Sequence, residues 1–306
     1  MTEPALYHAN CPDAAGGHRM AYWQWGRPDA SHVVVCVHGL SRQGRDFDVL
    51  AQALCERATA QPGGIRVVCP DVAGRGESDW LKDPMGYQVP TYAADMLVLL
   101  AHLHAQSPII TLDWVGTSMG GLIGMALSGQ PDLPMPVPVR KLVLNDVGPA
   151  VEWRAIERIG AYLGQARYFS SVQEAADAMW AVSRSFGPHT PEQWLALSRA
   201  MVKPVSAAAG SKLRLHYDPA IAVPFKLLSE ESAQQGEALL WQLYDHIKAE
   251  TLLLRGAQSD LLSRETAQAM TQRGPKARLI EFAGVGHAPT LVASDQVAAA
   301  AGFLLS

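Results

Sequence analysis

Ile109-Ile110-Thr111-Leu112-Asp113-Trp114-Val115-Gly116-Thr117-Ser118-Met119-Gly120-Gly121 runs an apolar stretch straight into a Gly-x-Ser-x-Gly pentapeptide. A small-residue helical segment follows it, through Met125-Ala126-Leu127. A strand that enters a very tight turn and leaves as a helix is the setting of a nucleophile elbow. The serine in such a turn is strained, and the positions two before and two after it can carry almost no side chain. Gly116 and Gly120 meet that demand. A glycine-rich chain produces the pentapeptide by chance, so the strand-turn-helix setting is what gives it weight. Ser118 is therefore the candidate nucleophile. It needs a base, an acid to hold that base, and donors for an oxyanion.

Outward from the elbow, strand-like and helical stretches alternate. Val33-Val34-Val35-Cys36-Val37 reads as a strand buried on both faces, as central parallel strands are. Before it lie two short strands, at 5–9 and 19–25. After it come a helix over 46–58, a strand Ile65–Cys69 stopped by Pro70, and a helix over 90–104. Beyond the elbow, Lys141-Leu142-Val143-Leu144-Asn145 is a further buried strand. The alternation then stops. From Pro149 to about His246 only helical patterns are legible, over 152–164, 172–184, 191–202 and 236–246. Trp153, Trp180, Trp194 and Trp241 lie in them and read as packing residues. Strands at 251–255 and 277–282 and helices over 264–273 and 294–305 resume the pattern. The alternation implies a mostly parallel sheet covered on both faces. The expected organisation is a core of 1–146 and 247–306 with a helical cap inserted at 147–246.

In an open parallel sheet, functional groups gather at the C-terminal strand ends. His38, Asp71, Ser118, Asp146, Asp260 and His287 all follow strand-like runs. His287, in Gly284-Val285-Gly286-His287, is the expected base, because two glycines leave its loop free to aim the ring. An imidazolium needs a carboxylate to hold its tautomer and stabilise its charge. Asp260 is the expected acid, with Asp146 as the alternative or as a hydrogen-bonding residue behind it. His38 and Asp71 read as residues that shape their own loops through backbone hydrogen bonds. The N–H of Met119, at a helix N-terminus, and that of Leu40, after His38-Gly39, are the expected oxyanion donors. Arg42 and Arg45, beside that loop, read as solvated surface residues. His102 and His104, two apart on a helix, point to different faces and do not form a metal pair.

The 306 residues are 48% hydrophobic and 18% charged, an ordinary globular composition. A formal net charge of -4 without any Lys/Arg run argues against nucleic acid or an anionic membrane as partner. No apolar stretch approaches the roughly 18 residues that a membrane span requires. Cys11, Cys36, Cys55 and Cys69 show neither CxxC nor zinc-finger spacing and read as free thiols. No metal and no cofactor is expected. The N-terminus lacks a basic region followed by an apolar segment, so a cytoplasmic protein is expected, as a monomer or homodimer.

The chain order Ser118, Asp260, His287, with His38-Gly39 and the loop Asp71-Val72-Ala73-Gly74-Arg75-Gly76-Glu77-Ser78, resembles the α/β-hydrolase superfamily over nearly the whole chain. The resemblance implies an eight-stranded, mostly parallel sheet with one antiparallel strand near its start. It also implies a lid after the sixth strand and a serine carboxylic-ester hydrolase acting on a small-molecule ester. Ser118 speaks against haloalkane dehalogenases and epoxide hydrolases, which carry aspartate at that position. Gly39-Leu40 speaks against lipases of the HGGG type. Carbon–carbon bond hydrolases of ring-cleavage products, lactonases and cofactor-free perhydrolases are the alternative enzymes. A small-molecule receptor of the same fold is the alternative outside catalysis.

Overall fold

In the computed structural model, which describes residues 3–13, 15–60, 62–208 and 210–306, eleven strands and ten α-helices are formed among those residues. The strands are β1 (Ala5–Cys11), β2 (His18–Gly26), β3 (His32–Val37), β4 (Arg66–Pro70), β5 (Thr111–Thr117), β6 (Val139–Asn145), β7 (Tyr168–Phe169), β8 (Val202–Pro204), β9 (Leu213–Leu215), β10 (Glu250–Gly256) and β11 (Arg278–Phe282). The helices are α1 (Asp48–Arg57), α2 (Val89–Gln106), α3 (Met119–Gly129), α4 (Trp153–Tyr162), α5 (Val172–Ser183), α6 (Pro191–Arg199), α7 (Ala222–Phe225), α8 (Glu230–His246), α9 (Arg264–Gln272) and α10 (Ser294–Leu304).

Eight strands make one sheet in the order β1-β2-β4-β3-β5-β6-β10-β11. Only β2 runs against the rest, pairing antiparallel with both β1 and β4. This is the α/β-hydrolase sheet that the resemblance implies. The β-branched run of β3 shows why the strand is central. Its side chains alternate between two apolar layers, Val33, Val35 and Val37 on one face and Val34 and Cys36 on the other. The first layer is closed by α2 through Tyr92, Met96, Leu99 and Leu103, and by α3 through Ile123 and Leu127. The second is closed by α1 through Leu50 and Leu54, and by α10 through Val297, Ala300 and Leu304. The sheet is thereby buried on both faces, as parallel sheets are.

Between β6 and β10 the chain leaves the sheet, and here the sequence reading needs correction. The segment is not purely helical: β7, β9 and β8 form a three-stranded antiparallel sheet. These strands are two or three residues long, too short to display a period-two pattern. The helices expected there are present, with side-chain N-caps from Ser171, Thr190 and Ser229 on α5, α6 and α8. Trp180 and Trp194 pack edge to face at 4.9 Å, and the Trp194 indole donates to the Ala176 carbonyl at 2.8 Å. Helix α8 packs along α3 and buries Tyr244 in the first apolar layer.

The segment is tied to the sheet's loops by backbone. Arg75 and Tyr217 form an antiparallel bridge. Gly76 donates to the His216 carbonyl at 2.9 Å, and Asp218 to the Gly74 carbonyl at 2.7 Å. On the far side, Gly286 donates to the Ser185 carbonyl at 2.5 Å, and the Ser185 hydroxyl to the His287 carbonyl at 3.1 Å.

Candidate active site

Strand β5 ends at Thr117 and α3 begins at Met119, so Ser118 is the whole of the turn between them. Its φ of 51° lies in the left-handed region, a strained conformation for a non-glycine residue. The amide of Ser118 is held by the Asn145 carbonyl at 3.0 Å. A Cβ on Gly116 would fall on the Gly120 carbonyl, and a Cβ on Gly120 would fall on the Val37 carbonyl. Both obstacles are backbone and cannot turn aside. Gly120→Ala is therefore expected to destabilise the fold by about 3 kcal/mol or more, read as a fall in the melting temperature. A variant that melts with the wild type would show that the turn is looser than this packing.

The ring of His287 stands between Ser118 and an aspartate. Its Nε2 lies 3.0 Å from the Ser118 hydroxyl and its Nδ1 lies 2.8 Å from Asp146 Oδ2. A carboxylate at Nδ1 keeps the proton of the neutral ring on that side and leaves Nε2 free to accept from the serine. Asp146 is fully buried and also accepts from the Gly256 amide at 2.8 Å and the Ser259 hydroxyl at 2.6 Å. Like Ser118, it sits at a positive φ, 56°.

Asp260, the acid expected from chain order, is not beside His287. It turns outward and makes a two-pronged pair with Arg158 at 2.7 and 2.9 Å, with both partners part-exposed. The loop after β10 sends Ser259 inward instead. Asp146 and this loop are neighbours because β6 and β10 pair in parallel, Asn145 opposite Leu254. The residue named as the alternative is thus the one that meets the histidine.

Two further loop residues lie as expected. Burial pushes the His38 imidazole down to about 3, so the ring is neutral. Its Nδ1–H donates to the Gly39 carbonyl at 2.7 Å, and its Nε2 accepts from the Val72 amide at 3.0 Å. Asp71 accepts from the amides of Gly44 and Glu77 and from the Trp23 indole, although burial pushes its carboxyl up to about 7. Arg42 departs from expectation. It is a wall residue, held by Asp46 through two 2.6 Å bonds and donating to the Leu197 carbonyl.

The amides of Leu40 and Met119 have no hydrogen-bond acceptor among the described residues. Gly39 lies against Ser118, with space for a Cβ only 3.6 Å from the serine Cβ. Gly39 and Leu40 line a cavity of about 130 Å³ between the sheet and the inserted segment, with Ser118 and His287 also in its wall. Leu40, Met179, Val182, Phe186 and Met201 make it apolar, while Arg42 and Arg158 bring charge to it. An apolar cavity with a few convergent polar groups is the form of a small-molecule site.

Three supporting residues escaped sequence reading. Asn145 donates to the Thr117 hydroxyl at 2.9 Å and to the Pro289 carbonyl at 2.8 Å, joining the serine turn to the histidine loop. Ser259 holds Asp146, and Ser185 holds His287 from above. Single polar side chains at a strand end or in a turn carry no periodicity, so nothing marked them. Away from the cavity, His18 bridges Asp13 and Asp95 at 3.1 and 3.0 Å, next to the Cys11 thiol. Together they brace the β1–β2 turn on α2.

Residues 34–300 match the alpha/beta hydrolase family. The chain is 50% identical to a 3-hydroxybutyrate-oligomer hydrolase of Cupriavidus necator, over 98% of this chain and 97% of that one. Among solved structures it is similar to an alpha/beta hydrolase from Novosphingobium aromaticivorans, at 33% identity and a TM-score of 0.81, covering 100% and 99% of the two chains. A protein of Rickettsia typhi superposes with a TM-score of 0.83 at 26% identity, covering 99% of each chain. In the described residues no helix is long and apolar enough to cross a membrane.

Proposed function

The chain belongs to the alpha/beta hydrolase family, and on that footing we propose that it is a serine carboxylic-ester hydrolase cleaving short oligomeric esters of 3-hydroxybutyrate. The observation that carries the chemistry is the unbroken series Ser118 Oγ, His287 Nε2, His287 Nδ1, Asp146 Oδ2, with contacts of 3.0 and 2.8 Å, on the wall of an apolar cavity. The substrate comes from the relative of Cupriavidus necator. Short hydroxyacyl units suit the small volume of the cavity.

In this mechanism Ser118 attacks the ester carbonyl while His287 takes its proton, and Asp146 stabilises the imidazolium. The N–H groups of Leu40 and Met119 hold the oxyanion. The Leu40 amide is aimed by its own peptide: His38 Nδ1–H and the Arg42 amide both donate to the Gly39 carbonyl, so the N–H at the other end of that peptide turns the opposite way. As the carbon–oxygen bond breaks, the His287 imidazolium gives its proton to the departing alkoxide oxygen, which leaves as the 3-hydroxyl of a hydroxybutyrate unit. Water, deprotonated by the same ring, attacks the acyl-enzyme and releases the second acid. The inserted segment acts as the cap that closes the cavity. The four free cysteines suit a reducing, cytoplasmic setting.

Incubating the purified chain with linear 3-hydroxybutyrate dimer and trimer is expected to yield monomer with many turnovers per chain, and a fluorophosphonate to label Ser118. Cleavage of a vinylogous diketone without ester turnover would replace the reading with a carbon–carbon hydrolase. One equivalent of product per labelled chain would replace it with a receptor.

A further inference from the structure

Two arginines, Arg66 and Arg75, are fully buried without an ion pair among the described residues, and of these Arg75 reaches the residues around Ser118. A buried cation without a counter-ion is costly unless dipoles surround it. Arg75 Nε donates to the Leu40 carbonyl at 2.9 Å, and one terminal nitrogen donates to the Ala73 carbonyl at 2.6 Å and the Tyr92 hydroxyl at 2.8 Å. The other terminal nitrogen lies 3.7 Å from the Met119 sulfur. The rings of Tyr92 and Tyr87 flank the guanidinium at 5.0 and 5.6 Å. Tyr87 is itself fixed by donating to Asp218 at 2.6 Å.

Two of the residues touched here, Leu40 and Met119, are those whose amides the proposed mechanism assigns to the oxyanion. A carbonyl at Leu40 that faced the cavity would set its negative end against that oxyanion. The bond from Arg75 turns it away and fixes the residue. The charge that stays unpaired in the resting protein touches both residues whose amides would meet the developing negative charge, in a buried setting where such interactions are strong.

We propose that Arg75 is the positioning residue of the oxyanion hole, holding Leu40 and Met119 in place and supplying a buried positive charge that is balanced only in the transition state. The inference rests on the reading of those two amides as oxyanion donors. Its signature is selective loss of transition-state affinity with ground-state binding intact.

The test uses the full chain with Arg75→Met and Arg75→Lys, p-nitrophenyl butyrate as substrate and butylboronic acid as a mimic of the tetrahedral state. Arg75→Met is expected to lower kcat by about 10²-fold with KM within about threefold, and to weaken boronate binding by a similar factor. Arg75→Lys keeps the charge but loses the planar fork; it is expected to fold and to recover about tenfold of the loss. Either variant, folded, with kcat within threefold of wild type would overturn the proposal. A fall in kcat with unchanged boronate affinity would overturn it too, since that is the mark of general loosening. Should Arg75→Met fail to fold, Arg75→Lys alone decides by the same two measurements. Failure of the underlying esterase reading looks different: the wild type itself would then resist both boronate and fluorophosphonate.

Discussion

Replacing Ser118 by alanine is expected to lower kcat for a 3-hydroxybutyrate dimer or an aryl ester by about 10⁵- to 10⁶-fold, with the fold intact. The serine hydroxyl is hydrogen-bonded to His287, and the nucleophile of such an assembly carries most of its rate enhancement. Stability should change by no more than about 1 kcal/mol, because the strained φ of 51° is equally unfavourable for either side chain. Steady-state kinetics and a thermal melt on the same preparation check both halves. Activity that survives within a factor of ten would remove Ser118 from the chemistry and leave the elbow as a packing motif.

The second large effect separates two aspartates. Asp146→Asn is expected to cost about 10⁴-fold in kcat, because the neutral amide neither stabilises the imidazolium nor fixes its tautomer. It should also destabilise the protein by about 1–3 kcal/mol, since three donors converge on this carboxylate from Gly256, Ser259 and His287. Asp260→Asn breaks a part-exposed pair with Arg158. It is expected to leave kcat within threefold and stability within about 1 kcal/mol. Measuring both variants side by side with the dimer is decisive. The opposite ranking would show that the loop after β10 rearranges to bring Asp260 to the histidine.

That contrast also shows where sequence reading reaches its end. The strands were legible because burial on two faces demands short unbroken apolar runs, as at Val33–Val37 in β3 and Leu142–Leu144 in β6. The elbow was legible because two backbone carbonyls leave no room for a side chain at Gly116 or Gly120. The acid was not decidable in the same way. Asp146 and Asp260 follow strands that lie side by side, and the order of residues along the chain is compatible with either. Only the side-chain directions separate them, Ser259 inward and Asp260 toward Arg158. Arg75 was hidden for a related reason. It sits in a glycine-punctuated loop, where no periodicity announces burial, yet its backbone pairs with Tyr217 and its side chain reaches the Met119 sulfur next to Ser118. The short strands β7, β8 and β9 carry too few residues to betray a pattern.

The two seams that hold the inserted segment bear on any attempt to graft a different one onto this core. Ser185 grips the backbone of the histidine loop, and the 216–218 stretch grips the loop from which Arg75 enters. A transplanted segment that brings a new pocket but not these grips would leave His287 and Arg75 each short of a backbone anchor. Chimeras in this family would then lose turnover for reasons unrelated to how well the new pocket fits its ester. Carrying the serine and the three-residue stretch across with the graft turns substrate exchange into a question about the pocket alone.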